Sequence, residues 1–146
     1  MIPAMEPRIS IICLGVSDLG RSLKFYRDGL GLPTTRSAED GIVFFQTSGT
    51  CLELFPYEEL ARDVSDEYNV PRSKFPGITL AHNVRTRDEV DRVLRLAEVA
   101  GAKIEKPAHD TDWGGYSGYF SDPDGYVWEV AYGAFDFQED GSLAIT

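Results

Sequence analysis

One supersecondary unit is written twice in this 146-residue chain, and that duplication limits the fold more than any other feature. Gly49-Thr-Cys-Leu-Glu53-Leu returns 76 residues later as Gly125-Tyr-Val-Trp-Glu129-Val. Leu14-Gly-Val16, ahead of one helix pattern, returns at an offset of 68 as His82-Asn-Val84, ahead of another. The offsets differ by a loop's worth of residues, as divergent copies of one unit should. A unit that sets a glutamate inside a strand twice predicts a site where two modules meet.

Local patterns fill in each copy. Arg8 to Val16 is β-branched and aliphatic, the composition of a buried strand. Asp18 is placed to cap a helix through about Leu30, with Leu19, Leu23, Tyr26 and Leu30 as its apolar stripe. Strands are expected at residues 34–37, 42–47 and 50–56, split by Gly-containing turns. In the second copy, residues 78–84 read as a strand and Thr86-Arg-Asp-Glu89 as a capping box opening a helix that Gly101 ends. Strands at 102–106, 116–121 and 126–132 follow, the last two joined by the Asp122-Pro-Asp-Gly125 turn. The fold class is therefore α+β, with two tandem βαβββ modules forming a curved, cupped mixed sheet with helices outside. The first module spans 8–56, a polar connector with a short helix 57–75, the second module 76–133 and a tail 134–146, all in one compact domain.

Composition narrows the function classes. A net charge of −10 argues against nucleic acid and anionic membrane as partners. The apolar run from Ile9 to Val16 is too short to span a bilayer. Two cysteines, Cys13 and Cys51, make no disulfide framework, so the expected compartment is the reducing cytoplasm.

Val16-Ser-Asp18-Leu-Gly-Arg-Ser22-Leu-Lys-Phe25-Tyr26 with Leu30-Gly31, and Asp122-Pro-Asp-Gly-Tyr126 ahead of Glu129, resemble the opening and closing segments of the vicinal oxygen chelate superfamily. That superfamily includes glyoxalase I, extradiol dioxygenases and bleomycin-resistance proteins, and the resemblance runs from about Ile9 to Tyr132. Phe75-Pro-Gly-Ile-Thr-Leu-Ala-His82-Asn-Val84 and Trp113-Gly-Gly-Tyr116-Ser-Gly-Tyr-Phe120 are similar to a glyoxalase-like subgroup. The resemblance implies that the four metal ligands of glyoxalase I fall at Ile11, Glu53, Gly77 and Glu129. Both glutamates match and both histidines are missing. Ile11 and Gly77 have no side-chain lone pair, whereas Zn²⁺, Ni²⁺ and Fe²⁺ sites favour imidazole or thiolate. Any divalent metal would rest on Glu53 and Glu129 alone, a donor set suited to Mg²⁺ or Mn²⁺.

If Glu53 and Glu129 face a cavity, alternation puts Cys51 and Phe55 on the same face. The glutamates are then candidates for general base, hard-metal ligand or counter-charge; the competing reading is a solvated strand face. His82 is expected on the helix side, with Asn83 turned inward to orient a ligand. Trp113-Gly-Gly-Tyr116 can cover a cavity mouth, or pack as a hairpin edge or dimer contact. His109 is expected in a solvated loop. The functional expectation is a homodimer that binds a small organic ligand between modules or between subunits. The alternative is a lyase, isomerase or dioxygenase-type enzyme that uses Glu53 and Glu129.

Overall fold

The computed structural model describes residues 1–145. β1 (Ile11–Val16), β2 (Val43–Phe45) and β3 (Cys51–Pro56) form a three-stranded sheet in the order β1-β3-β2. β4 (Thr79–Val84), β5 (Lys103–Asp110), β6 (Tyr116–Ser121) and β7 (Val127–Tyr132) form a second sheet in the order β4-β7-β6-β5. In both sheets the module's first strand runs parallel to its last, and the other neighbours are antiparallel. A parallel neighbour requires a crossover, which α1 (Leu19–Leu23) and α3 (Arg87–Ala100) supply. The chain has the α+β architecture of two repeated modules, a complete βαβββ in the second half and one strand fewer in the first.

The caps are where the sequence puts them. Asp18 accepts from Arg21 N at 3.0 Å, and Thr86 with Glu89 forms a reciprocal capping box. The apolar stripe of the first helix differs from a regular 3.6-residue pattern. After Leu23 the helix widens into a π turn over Lys24–Gly29, where Leu30 N bonds Phe25 O. The extra residue per turn lets adjacent Phe25 and Tyr26 both enter the core, at 2% and 0% exposure.

The strand expected at 34–37 does not form. Pro33 has no N–H to donate, and the Thr34 hydroxyl takes the Phe44 carbonyl at 2.6 Å in place of a ladder amide. The segment runs beside β2 without joining it. The opposite correction applies to His109, which lies inside β5 rather than in a loop. Two register shifts around Lys106 let this edge strand carry Pro107 and continue to Asp110.

Leu14, Leu52 and Leu54 from the first sheet, Tyr26 from the π turn, and Phe120 and Val130 from the second belong to one apolar cluster. The modules therefore share their core. The connector begins with α2 (Tyr57–Val64), and the tail folds back as a short hairpin of β8 (Asp136–Phe137) and β9 (Leu143–Ala144). Among the described residues, no helix is long and apolar enough to cross a membrane.

Candidate functional site

Alternation in β3 buries Leu52 and Leu54 and leaves Cys51, Glu53 and Phe55 on the outer face of the first sheet. Cys13 of β1 and Phe44 of β2 lie beside Glu53 in register. The Cys13 thiol is pushed up to about 12, first by burial and then by the Glu53 carboxylate, which accepts its hydrogen bond and repels its thiolate. A thiol held protonated in this way is a poor nucleophile and a poor metal ligand. At the far end of this face Phe55 pairs with Gly15, where a side chain would press on Tyr57 of α2. The face is thus closed at one end and open at the other.

Glu129 occupies the matching place in the second sheet, between Ala81 of β4 and Tyr119 of β6. Tyr119 Oη donates to Glu129 Oε2 at 3.2 Å. Burial, followed by the charge and hydrogen bond of Glu129, raises the Tyr119 phenol above its usual range. Trp128 and Val130, on either side of Glu129, belong to the shared core. Both glutamates therefore point away from that core, each from its own sheet and each with its own partners. One chain gives each glutamate a separate setting.

Cys51 and Asn83 do come together. They line a cavity of about 740 Å³ between the modules, with Ile12, Leu80, His82 and Trp128 among its walls and the tail hairpin at its rim. His82 and Asn83 both reach it because β4 is an edge strand. Glu53 and Glu129 are not among its lining residues.

The aromatic loop goes elsewhere. Trp113 folds over Gly115 and Gly133 and sits 6.0 Å from the Phe135 ring, against the tail. Tyr116 pairs with Tyr132 on the helix side of the sheet, where its hydroxyl donates to Asp91 of α3 at 2.7 Å and Arg87 lies over its ring. Strand parity separates it from Glu129, so the structure places neither aromatic beside that glutamate.

Two polar residues with a structural task were read from sequence only as turn formers. Asp124 accepts from Ser17 N and Oγ, both at 2.9 Å, and from Ser22 Oγ at 2.8 Å. Asp122 accepts from the backbone amides of Asp124 and Tyr126 and from Tyr26. The Asp-Pro-Asp-Gly turn clamps one module to the other; the only sequence signal was a second aspartate that a simple turn does not need.

The family follows from comparison of this whole architecture. The sequence pattern of the Glyoxalase/Bleomycin resistance protein/Dioxygenase superfamily matches residues 8–130. The chain belongs to that superfamily. An uncharacterized protein, YraH of Bacillus subtilis (strain 168), is 31% identical over 125 residues, covering 82% of this chain and 93% of its own. The crystal structure of a glyoxalase-related enzyme from Fulvimarina pelagi superposes with a TM-score of 0.85 at 33% identity, over 97% of this chain and 99% of that one. A lactoylglutathione lyase from Agrobacterium tumefaciens is more distant, with a TM-score of 0.66 and 29% identity over 88% of this chain and 96% of its own.

Glyoxalase I within this superfamily uses four metal ligands, and the strand registers show where they would fall. Cys13 pairs with Glu53 and Ala81 with Glu129, so Ile11 in the first module corresponds to Thr79 in the second. The fourth position is therefore Thr79, two residues beyond the Gly77 expected from sequence. A hydrocarbon, a neutral hydroxyl and two carboxylates in separate sheets do not make a glyoxalase I metal site. Among the described residues, no three His, Cys, Asp or Glu side chains gather in a group that could hold a metal ion.

Proposed function

We propose that the chain binds a small organic molecule on the glutamate-bearing outer faces of its sheets, and that a second copy covers those faces. The observation that carries this reading is the setting of Glu53. It is half-buried, flanked by Cys13 and Phe44, and paired with no cation among the described residues. A cavity of about 530 Å³ opens next to it, lined by Cys51, Ile11 and Phe44. A half-buried carboxylate beside a hollow of mixed apolar and polar lining is suited to receive a hydrogen-bond donor or a cationic group from a ligand.

A second copy is supported by the apolar side chains at the sheet edges. Ile9 and Ile11 at the start of β1 and Phe75 and Ile78 ahead of β4 are 67%, 48%, 56% and 48% exposed. Apolar surface of this kind marks an association face. Two chains could also set Glu53 of one against Glu129 of the other, which one chain does not do.

An enzymatic reading is favoured by one contact. Tyr119 and Glu129 form a phenol–carboxylate hydrogen bond on the open face, a pair able to pass a proton to or from a ligand, as a lyase or isomerase requires. The test of both readings is thermal unfolding against a panel of small carbonyl, amine and phenolic compounds. Stabilisation by a panel member, lost in Glu53→Gln or Glu129→Gln, supports a working face. Stabilisation that both variants retain would place the ligand elsewhere, and product formation lost only in Glu129→Gln would select the enzyme.

A further inference from the structure

The hollow next to Glu53 has a polar wall of its own, and Glu53 stands outside its lining. Its outer rim is the segment Pro33–Arg36, the stretch that Thr34 holds beside β2 without joining it. The Arg36 guanidinium lies over the Phe44 ring, 5.6 Å from its centroid. Phe44 is in register with Glu53, one strand away, or about 4.8 Å. A cation, an aromatic face and a carboxylate thus follow one another across the sheet.

Arg36 shares with Arg85 and Arg92 the lack of an ion pair among the described residues, and differs from them in lining a cavity. The chain carries 24 acidic residues against 14 basic ones, and Arg8, Arg21, Arg27, Arg62, Arg87 and Arg95 each sit in an ion pair. Among the described residues the Arg36 guanidinium has no ion pair, and only its backbone amide is bonded, to Thr34 Oγ1 at 3.0 Å. That bond fixes the backbone while leaving the side-chain donors free. An aromatic ring holds the guanidinium plane and satisfies none of its five N–H groups.

We propose that Arg36 is the anion-recognising residue of this face, and that the face takes a small organic acid. The carboxylate of the ligand pairs with Arg36 in a two-pronged hydrogen bond, its apolar body lies on Phe44 and Ile11, and its donor end meets Glu53. This rests on the Glu53 reading above and adds the chemical class of the ligand.

The test uses 4-hydroxyphenylacetate and its neutral amide as probes, titrated into the intact protein and followed by amide chemical shifts. The acid should bind about tenfold more tightly than the amide, with shifts on β2 and β3. Arg36→Gln should erase that preference by bringing the acid's affinity down to the amide's, Arg36→Lys should keep part of it, and Glu53→Gln should weaken both probes alike. Arg36 is exposed, so its variants should unfold as the parent does. An acid preference that survives Arg36→Gln overturns the inference while leaving the Glu53 reading standing. Sensitivity to Arg36→Gln with indifference to Glu53→Gln does the reverse. Failure of both probes to shift this face overturns both.

Discussion

Tyr26 Oη donates to Asp122 Oδ2 at 2.5 Å, joining residues 96 apart in sequence. Tyr26 comes from the π turn of the first module, and Asp122 opens the turn that follows β6 in the second. Trp128 Nε1 donates to the same hydroxyl at 3.1 Å. All of this sits in the apolar cluster shared by both sheets, where a polar group must find its partner inside the protein. The chain thus ties its two copies together with one buried polar chain, and the open faces that carry the glutamates depend on that tie for their relative placement.

Removing the hydroxyl should be expensive for its size. In Tyr26→Phe the ring still fills its space, but Asp122 Oδ2 loses its donor and Trp128 Nε1 loses its acceptor. Leaving buried groups unpaired typically costs about 1–3 kcal/mol. Urea denaturation should show a lower midpoint with an unchanged slope. A midpoint equal to that of the parent would mean that water replaces the hydroxyl, and that the tie contributes little.

The same aspartate gives stability a pH dependence of unusual sign. Burial holds the Asp122 carboxyl above its ordinary 3.8, against the pull of its hydrogen bonds from Tyr26, Tyr126 and Asp124. Between 3.8 and that raised value the folded chain holds a proton that the unfolded chain has released, so stability falls as pH rises through this window. Asp122→Asn removes this titration. Unfolding free energies measured upward from pH 4 should therefore decline more steeply in the parent than in the variant. Parallel curves would contradict the assignment.

What could be read from sequence was what neighbours in sequence decide. The capping box of Thr86 and Glu89, the Asp18 cap and the parity that sets Glu53 opposite Leu52 and Leu54 on β3 all follow from local spacing. What could not be read depends on register or on side chains competing with the backbone. Thr34 denies the first sheet a fourth strand with its hydroxyl, and a π turn brings Phe25 into the core alongside Tyr26. Tyr116 carried the composition of a binding loop, but pairing with Tyr132 turned it to the helix side. Arg36 had no signal at all until the Pro33–Arg36 segment was seen to lie across Phe44.

Close packing between the modules makes Gly29 a sensitive position. A methyl group there would overlap the side chain of Ala100 at the end of α3, where the two helices touch. Helix propensity alone would favour Gly29→Ala. The overlap should prevail, with a loss of about 1–3 kcal/mol by overpacking. A thermal scan that shows stabilisation would mean that α3 can withdraw without disturbing the shared core.

Cys13 reports on Glu53 without any ligand. With its thiol pushed from 9.0 to about 12, it should carry about a thousandfold less thiolate than an ordinary cysteine at pH 8. Iodoacetamide should therefore modify it far more slowly than a free cysteine peptide, despite its partly open position on the face. Glu53→Gln removes the repelling charge but leaves the burial, which is the larger cause. The alkylation rate, followed by intact mass with Cys51 replaced by serine, should rise in that variant yet stay below the peptide rate. An unchanged rate would mean that Glu53 does not sit against the thiol, and the polar pair at the centre of the face would have to be redrawn.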